Sequence, residues 1–263
     1  MDLGIKGKVA FVAAASRGLG RAVAEELAAE GASLVLCARN AENLSLVSEK
    51  IAKTSGVPVF GVTGDVSVAG DVARAVQTGI EKFGQIDILV TNAGGPPVGQ
   101  FEDLSHEMWE AAISLTLNSV LELTRAILPG MKERSWGRIL NITSISVKQP
   151  VENLMLSNSL RAAVTGFART LANEVATHGI TVNNILPGYT RTERVEELAK
   201  ATAAREGISE AEACARWEAE IPMKRLGEPR EFAALATFLV SERASYITGT
   251  SIAVDGGWIR SLI

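Results

Sequence analysis

Apolar runs of strand length alternate with stretches of helical periodicity along nearly the whole chain. The first run, Val9 to Ala15, breaks into Ser16-Arg17-Gly18-Leu19-Gly20-Arg21 and passes into the helical pattern Ala22 to Ala28. Further strands are predicted at Ser33–Cys37, Val57–Val62, Ile86–Val90, Arg138–Ile142, Ile180–Leu186 and Ser251–Val254. Helices are predicted between them, over about 41–55, 68–83, 106–134, 154–178 and 229–241. The strands are continuously apolar rather than alternating, which means burial on both faces, and each is separated from the next by a helix. That pattern predicts an α/β fold of one domain: a Rossmann-type, doubly wound parallel sheet of about seven strands with helices on both faces. Ligands of such a sheet bind at the carboxyl ends of its strands. The segment from about Thr192 to Met223 breaks the rhythm and is expected to form a helical lid over that edge.

The first strand, its turn and the following helix together make an anion site. Backbone N–H groups without partners and the positive end of the helix dipole converge on the turn. Gly18 is expected to let the backbone approach a diphosphate, and Gly20 to let the helix pack on the sheet. A dinucleotide turn usually opens on another glycine, where this chain has Ala14. Alanine resists a positive φ, so either the turn is reshaped or the position does not need one.

Composition narrows the function classes. With 26 Lys plus Arg against 30 Asp plus Glu, the net charge is −4, so a nucleic-acid partner is not expected. The N-terminal apolar run is too short to span a membrane and lacks the flanks of a signal peptide. Cys37 and Cys214 lie too far apart in the chain to support a structural disulfide, and a cytoplasmic protein is expected.

Six motifs follow one another in order: Ala15-Ser16-Arg17-Gly18-Leu19-Gly20, Gly64-Asp65-Val66, Asn92-Ala93-Gly94, Asn141-Ile142-Thr143-Ser144, Pro187-Gly188 and Gly249 to Gly257. Over essentially its whole length the chain thereby resembles the short-chain dehydrogenase/reductase family, nearest to the 3-oxoacyl-carrier-protein reductases and related ketoreductases. The resemblance implies that Asp65 and Val66 hold an adenine and that Asn92, Ala93 and Gly94 pass close to a ribose. It also implies that Pro187, Gly188, Thr190 and Thr192 lie along nicotinamide and diphosphate. At the end of the second strand, where NAD users tend to carry a carboxylate, stand Ala38 and Arg39, with Arg17 in the first turn. Two guanidiniums suit a 2′-phosphate, so NADP(H) is expected over NAD(H).

Catalysis in this family uses Ser, Tyr and, four residues after the Tyr, Lys, with an Asn on the long helix that orders a water relay. Ser144 matches the serine. The places of the other three hold Ser157, Arg161 and Thr116, with Asn118 two residues beyond Thr116. A serine hydroxyl is a poor general acid, and an arginine stays charged and cannot shuttle protons. Arg161 can still bind the cofactor ribose or stabilise an oxyanion. The replacement proton source is expected to be water or Lys148, a loop lysine whose pKa desolvation could lower. Tyr189, in the Pro-Gly turn, is the lesser candidate. Tyr246 reads as packing, and His106 and His178 as capping or surface residues. The expected function is an NADP-dependent oxidoreductase acting on a carbonyl or alcohol of a small, partly hydrophobic substrate. Two alternatives stay open, a nucleotide-binding pseudoenzyme and a non-redox enzyme on the same cradle. The resemblance further implies a homodimer or homotetramer.

Overall fold

The computed structural model describes residues 2–262. Seven strands, β1 (Val9–Ala13), β2 (Ser33–Ala38), β3 (Val59–Thr63), β4 (Ile88–Thr91), β5 (Gly137–Ile142), β6 (Ile180–Pro187) and β7 (Ser251–Val254), form one sheet in the order β3-β2-β1-β4-β5-β6-β7. Every pairing is parallel. The order reverses between β1 and β4, which opens a crevice at their carboxyl ends. The third strand begins at Val59 rather than Val57: Pro58 has no N–H to give to a ladder, and only its carbonyl pairs, with Leu34 N at 2.9 Å.

The helices are α1 (Gly18–Ala29), α2 (Ala41–Ser55), α3 (Ala69–Phe83), α4 (His106–Ile113), α5 (Ser119–Glu133), α6 (Met155–Val175), α7 (Glu193–Glu206), α8 (Glu210–Glu220) and α9 (Pro229–Leu239). Successive side chains of β1 point to opposite faces. Ala10 and Val12 pack with Val23 and Leu27 of α1 and Phe232 of α9, whereas Phe11 and Ala13 pack with Val76 of α3, Leu123 of α5 and Ala168 of α6. Both faces of the sheet are therefore buried, as the apolar strands require.

The long helix expected over 106–134 is interrupted. Between α4 and α5 the residues Ser114–Asn118 form a π turn, a local widening of the helix that periodicity does not disclose and that recurs at functional sites. By length and composition His106–Glu133 would suffice to cross a bilayer, yet Val120, Leu123 and Ile127 on it are buried in the protein.

Polar groups tie the strands together beneath the crevice. Thr91 donates to Asn141 Oδ1 at 2.7 Å, the Asn141 amide to Asn184 Oδ1 at 3.1 Å, and the Asn184 amide to Ser251 Oγ at 3.1 Å. This chain links β4, β5, β6 and β7. Asn141 is fully buried, so each bond it makes removes a desolvation cost and fixes the register of the strand that carries the site.

The segment after β6 is helical, as expected, and consists of a hairpin of α7 and α8. A capping box starts α8: Ser209 N donates to Glu212 Oε2 at 2.8 Å and Glu212 N to Ser209 Oγ at 3.2 Å.

Candidate active site

A cleft of about 650 Å³ runs along the carboxyl ends of β1, β2, β4, β5 and β6. At one wall β1 turns into α1. Ala14 sits at φ 49° and Gly18 at φ 55°. The turn thus keeps its left-handed opening even with alanine there, at a cost of about 1–2 kcal/mol for the crowded Cβ. The first turn of α1 has neither a side-chain cap nor an acidic residue, so its N–H groups and dipole are free to meet an anion. Gly20 lies below this turn. A Cβ added there would stand 2.5 Å from the Ala14 carbonyl oxygen and 2.8 Å from Asn92 Nδ2, so the helix can approach the sheet this closely only on a glycine.

Ala14, Ser16, Arg17, Gly18, Leu19, Arg39, Asp65, Val66, Asn92, Ala93, Gly94, Pro187, Gly188, Thr190 and Thr192 all line the cleft, and of the expected cofactor residues Gly20 alone acts from underneath. At the end of β2, Arg39 Nη1 lies 3.8 Å from Asp65 Oδ2; Arg17 Nη1 lies 3.8 Å from Glu197 Oε1. Both guanidiniums are exposed and can swing onto a phosphate. Asp65 is held in place by Ser67, whose N–H and hydroxyl donate to its Oδ1 at 2.9 and 2.7 Å.

The chemistry-bearing residues gather on the other side of β4. Ser144, in extended backbone after β5, accepts a hydrogen bond from Ser146 N at 3.1 Å. Its oxygen is thereby oriented while its own O–H remains to donate. Arg161, on α6, donates from Nε to Ser157 Oγ at 3.2 Å and from Nη1 to the carbonyls of Ile142 and Thr143 at 2.9 and 2.8 Å. Nη2 has no acceptor among the described residues. Burial, and then the charge of Arg194, pull the Arg161 pKa down to about 10. Beneath this cluster a second cavity of about 10 Å³, room for a single water, is lined by Thr116, Thr143, Ser119 and Arg161. The Thr116 and Thr143 hydroxyls there are buried without hydrogen-bond partners.

Lys148 does not join the group. It is exposed at the end of the short helical turn Ile145–Val147, outside the cleft and away from where an acid would meet a substrate there. Tyr246 is fully exposed rather than packed. His106, beside Glu110 at 3.3 Å, and His178 lie outside the cleft, as expected. Tyr189 does line it, stacked on Trp217 with centroids 4.6 Å apart and edge-on to Trp258 at 6.2 Å. Burial and the neighbouring Glu220 push its phenol up to about 12. Sequence reasoning missed Arg194, Val151 and Leu154, which also line the cleft. The distance of Arg194 in the chain from the loop after β4 hid its contact there, an Nη2 bond to the Pro96 carbonyl at 3.0 Å.

A family model described as enoyl-(acyl carrier protein) reductase matches residues 13–259. The chain is 34% identical to the NADPH-dependent reductase BacG of Bacillus subtilis, over 97% of this chain and 99% of that one. It is equally identical, 34%, to the 3-oxoacyl-[acyl-carrier-protein] reductase FabG of Pseudomonas aeruginosa, over 98% and 100%. Among solved structures, L-sorbose reductase of Gluconobacter frateurii in complex with NADPH and L-sorbose superposes with a TM-score of 0.95 at 36% identity, covering all of both chains. A parallel sheet that reverses at an uncapped anion turn, and relatives that share it from end to end, place this chain in the short-chain dehydrogenase/reductase family as a FabG-like, NADP-dependent oxidoreductase of carbonyl and alcohol groups.

Proposed function

We propose that this protein reduces the carbonyl of a small, partly apolar substrate with Ser144 and Arg161 as its polar machinery. The observation that carries the reading is that a positioned hydroxyl donor and a cation with a free nitrogen line one cleft with an uncapped anion turn. Ala14, Ser16, Gly18, Leu19, Asn92, Ala93, Gly94, Pro187, Gly188, Thr190 and Thr192 would hold the cofactor along that cleft, with Asp65 and Val66 at its adenine. When bound, NADPH supplies the hydride, so that the carbonyl carbon gains a C–H bond, the carbonyl π bond breaks and the oxygen takes a proton.

Ser144 donates its hydroxyl to the carbonyl oxygen, and Arg161 stabilises the charge that grows there. Ser157 accepts from Arg161 Nε and so fixes the guanidinium. The proton comes from water, for which the cavity bounded by Thr116, Thr143 and Arg161 is suited by size and by its two unpartnered hydroxyls. Lys148 is too exposed for the part, and the Tyr189 phenol would leave its proton as an anion beside Glu220.

The test is NADPH oxidation by purified protein across a panel of ketones, beside a binding titration. Tight binding with no turnover on any carbonyl would favour a cofactor-binding sensor instead. The turnover profile should be flat from about pH 6 to 9, since among the described residues no histidine, lysine or cysteine lines the cleft. Arg161 is a cation whose pKa is lowered to about 10, so its charge is complete below that value and turnover should fall only as the pH rises through it. A decline centred near pH 7 would mean that another group provides the proton.

Arg17→Ala and Arg39→Ala should each weaken NADPH binding by about tenfold and leave NADH unchanged, as loss of one charge-assisted bond to phosphate requires. Equal effects on the two cofactors would remove both residues from 2′-phosphate recognition. The α7–α8 hairpin serves in this reading as the cover of the substrate end, and a homodimer or homotetramer forms through α5 and α6, which sedimentation can check. In this reading the protein works in the cytoplasm, a reducing compartment in which the free thiols of Cys37 and Cys214 would persist.

A further inference from the structure

Four cations line the cleft, Arg17, Arg39, Arg161 and Arg194. Three stand near carboxylates: Arg17 and Arg194 lie 3.8 and 3.3 Å from Glu197, and Arg39 lies 3.8 Å from Asp65. Arg161 differs. Its Nε and Nη1 bind only neutral oxygens, and no carboxylate comes within 4 Å of it among the described residues. A half-buried guanidinium without a counter-charge is an unfavourable arrangement that a bound anion would relieve.

The cofactor's diphosphate does not supply that anion. The uncapped turn that suits a diphosphate follows β1, whereas Arg161 is tethered to the end of β5, with β4 between them. Arg194 adds a second positive charge on the same side, held to the Pro96 carbonyl at 3.0 Å, and its charge is felt at Arg161. Val151, Leu154 and the Tyr189 ring, stacked on Trp217, add apolar surface to the same cleft.

We propose that the substrate is an oxo acid with an apolar tail, whose carboxylate, next to the reducible carbonyl, pairs with Arg161 Nη2. The inference rests on the reductase reading above and narrows it. The two N–H groups of Nη2 can serve a carboxylate oxygen and the adjoining carbonyl oxygen together, and the full negative charge is what distinguishes the acid from its ester.

The experiment compares 2-oxo-4-phenylbutanoate with its ethyl ester, which lacks the negative charge and adds an ethyl group. Binding to the NADP⁺-loaded protein is followed by calorimetry, and NADPH oxidation is followed separately. The acid should bind at least about tenfold more tightly than the ester, the size of one charge-assisted pair. Arg161→Gln should erase that preference, and Arg161→Lys, which keeps the charge, should restore part of it. Equal affinities for acid and ester overturn the proposal, and turnover of the ester alongside them leaves the reductase reading intact. Tight binding of the acid with turnover of neither compound supports the anion site and overturns the reductase reading. An acid preference that survives Arg161→Gln, with NADP⁺ affinity lost instead, assigns the guanidinium to the cofactor and overturns the proposal.

Discussion

Replacing Gly20 by alanine should weaken NADPH binding by about 100-fold or more, close to 3 kcal/mol. The added Cβ would fall 2.5 Å from the Ala14 carbonyl oxygen, 2.8 Å from Asn92 Nδ2 and 3.1 Å from the Ala13 carbonyl oxygen. Two of those neighbours are backbone and cannot rotate away, so α1 must back off from the sheet. Ala14 already holds φ 49°, a conformation alanine adopts only under constraint, which leaves the turn little slack to absorb the shift. The N–H groups that face the diphosphate would move with the helix. Overpacking of this kind costs about 1–3 kcal/mol of stability as well, readable in a urea melt. The two effects separate cleanly, because binding is measured at saturating stability and the melt without cofactor. If the variant binds NADPH as tightly as the parent, the cradle does not depend on the close approach of α1.

Arg161→Met should lower kcat by about 10²- to 10³-fold, the usual loss on removing one donor from a developing oxyanion. Methionine keeps much of the side-chain volume and none of the charge. The change also leaves the carbonyls of Ile142 and Thr143 without their donor, at a cost of about 1–3 kcal/mol, so the folded fraction must be checked first. With a neutral ketone the loss should appear in kcat and not in KM, because a neutral carbonyl oxygen gains negative charge only in the transition state. A variant with unchanged kcat and a raised KM would show that Arg161 acts on the ground state alone. Arg161→Lys tests the geometry: its single ammonium can meet the oxygen or the carbonyls but not present a fork, and kcat should fall between the two.

The fold was legible because β/α alternation is a property of local sequence. Continuous apolar strands such as Val9–Ala13 and Leu34–Cys37 can be satisfied only between two helical layers. Boundaries slipped where a single residue overrode the pattern, as at Pro58. The π turn at Ser114–Asn118 was not legible, since one extra residue in a helix leaves the apolar spacing on either side intact. Nor was the contact of Arg194 with Pro96, which joins residues 98 apart in the chain.

The turn expected to cradle the cofactor was readable for the same local reason: strand, turn and helix are consecutive, and the roles expected of Gly18, Gly20 and Arg39 rest on their positions in that run. The alanine at the head of the turn left its backbone open, and only the tertiary structure showed it at positive φ. The sequence by itself determined that Ser157 and Arg161 stand where the family resemblance expects a Tyr and a Lys, and that Arg17 and Arg39 stand where an adenosine end is expected. Tertiary structure decided what surrounds those residues. Burial and hydrogen bonding depend on elements distant in the chain, so it took the assembled sheet to leave Arg161 without a carboxylate and Lys148 out in solvent. The same assembly put two unpartnered threonine hydroxyls around a cavity the size of one water.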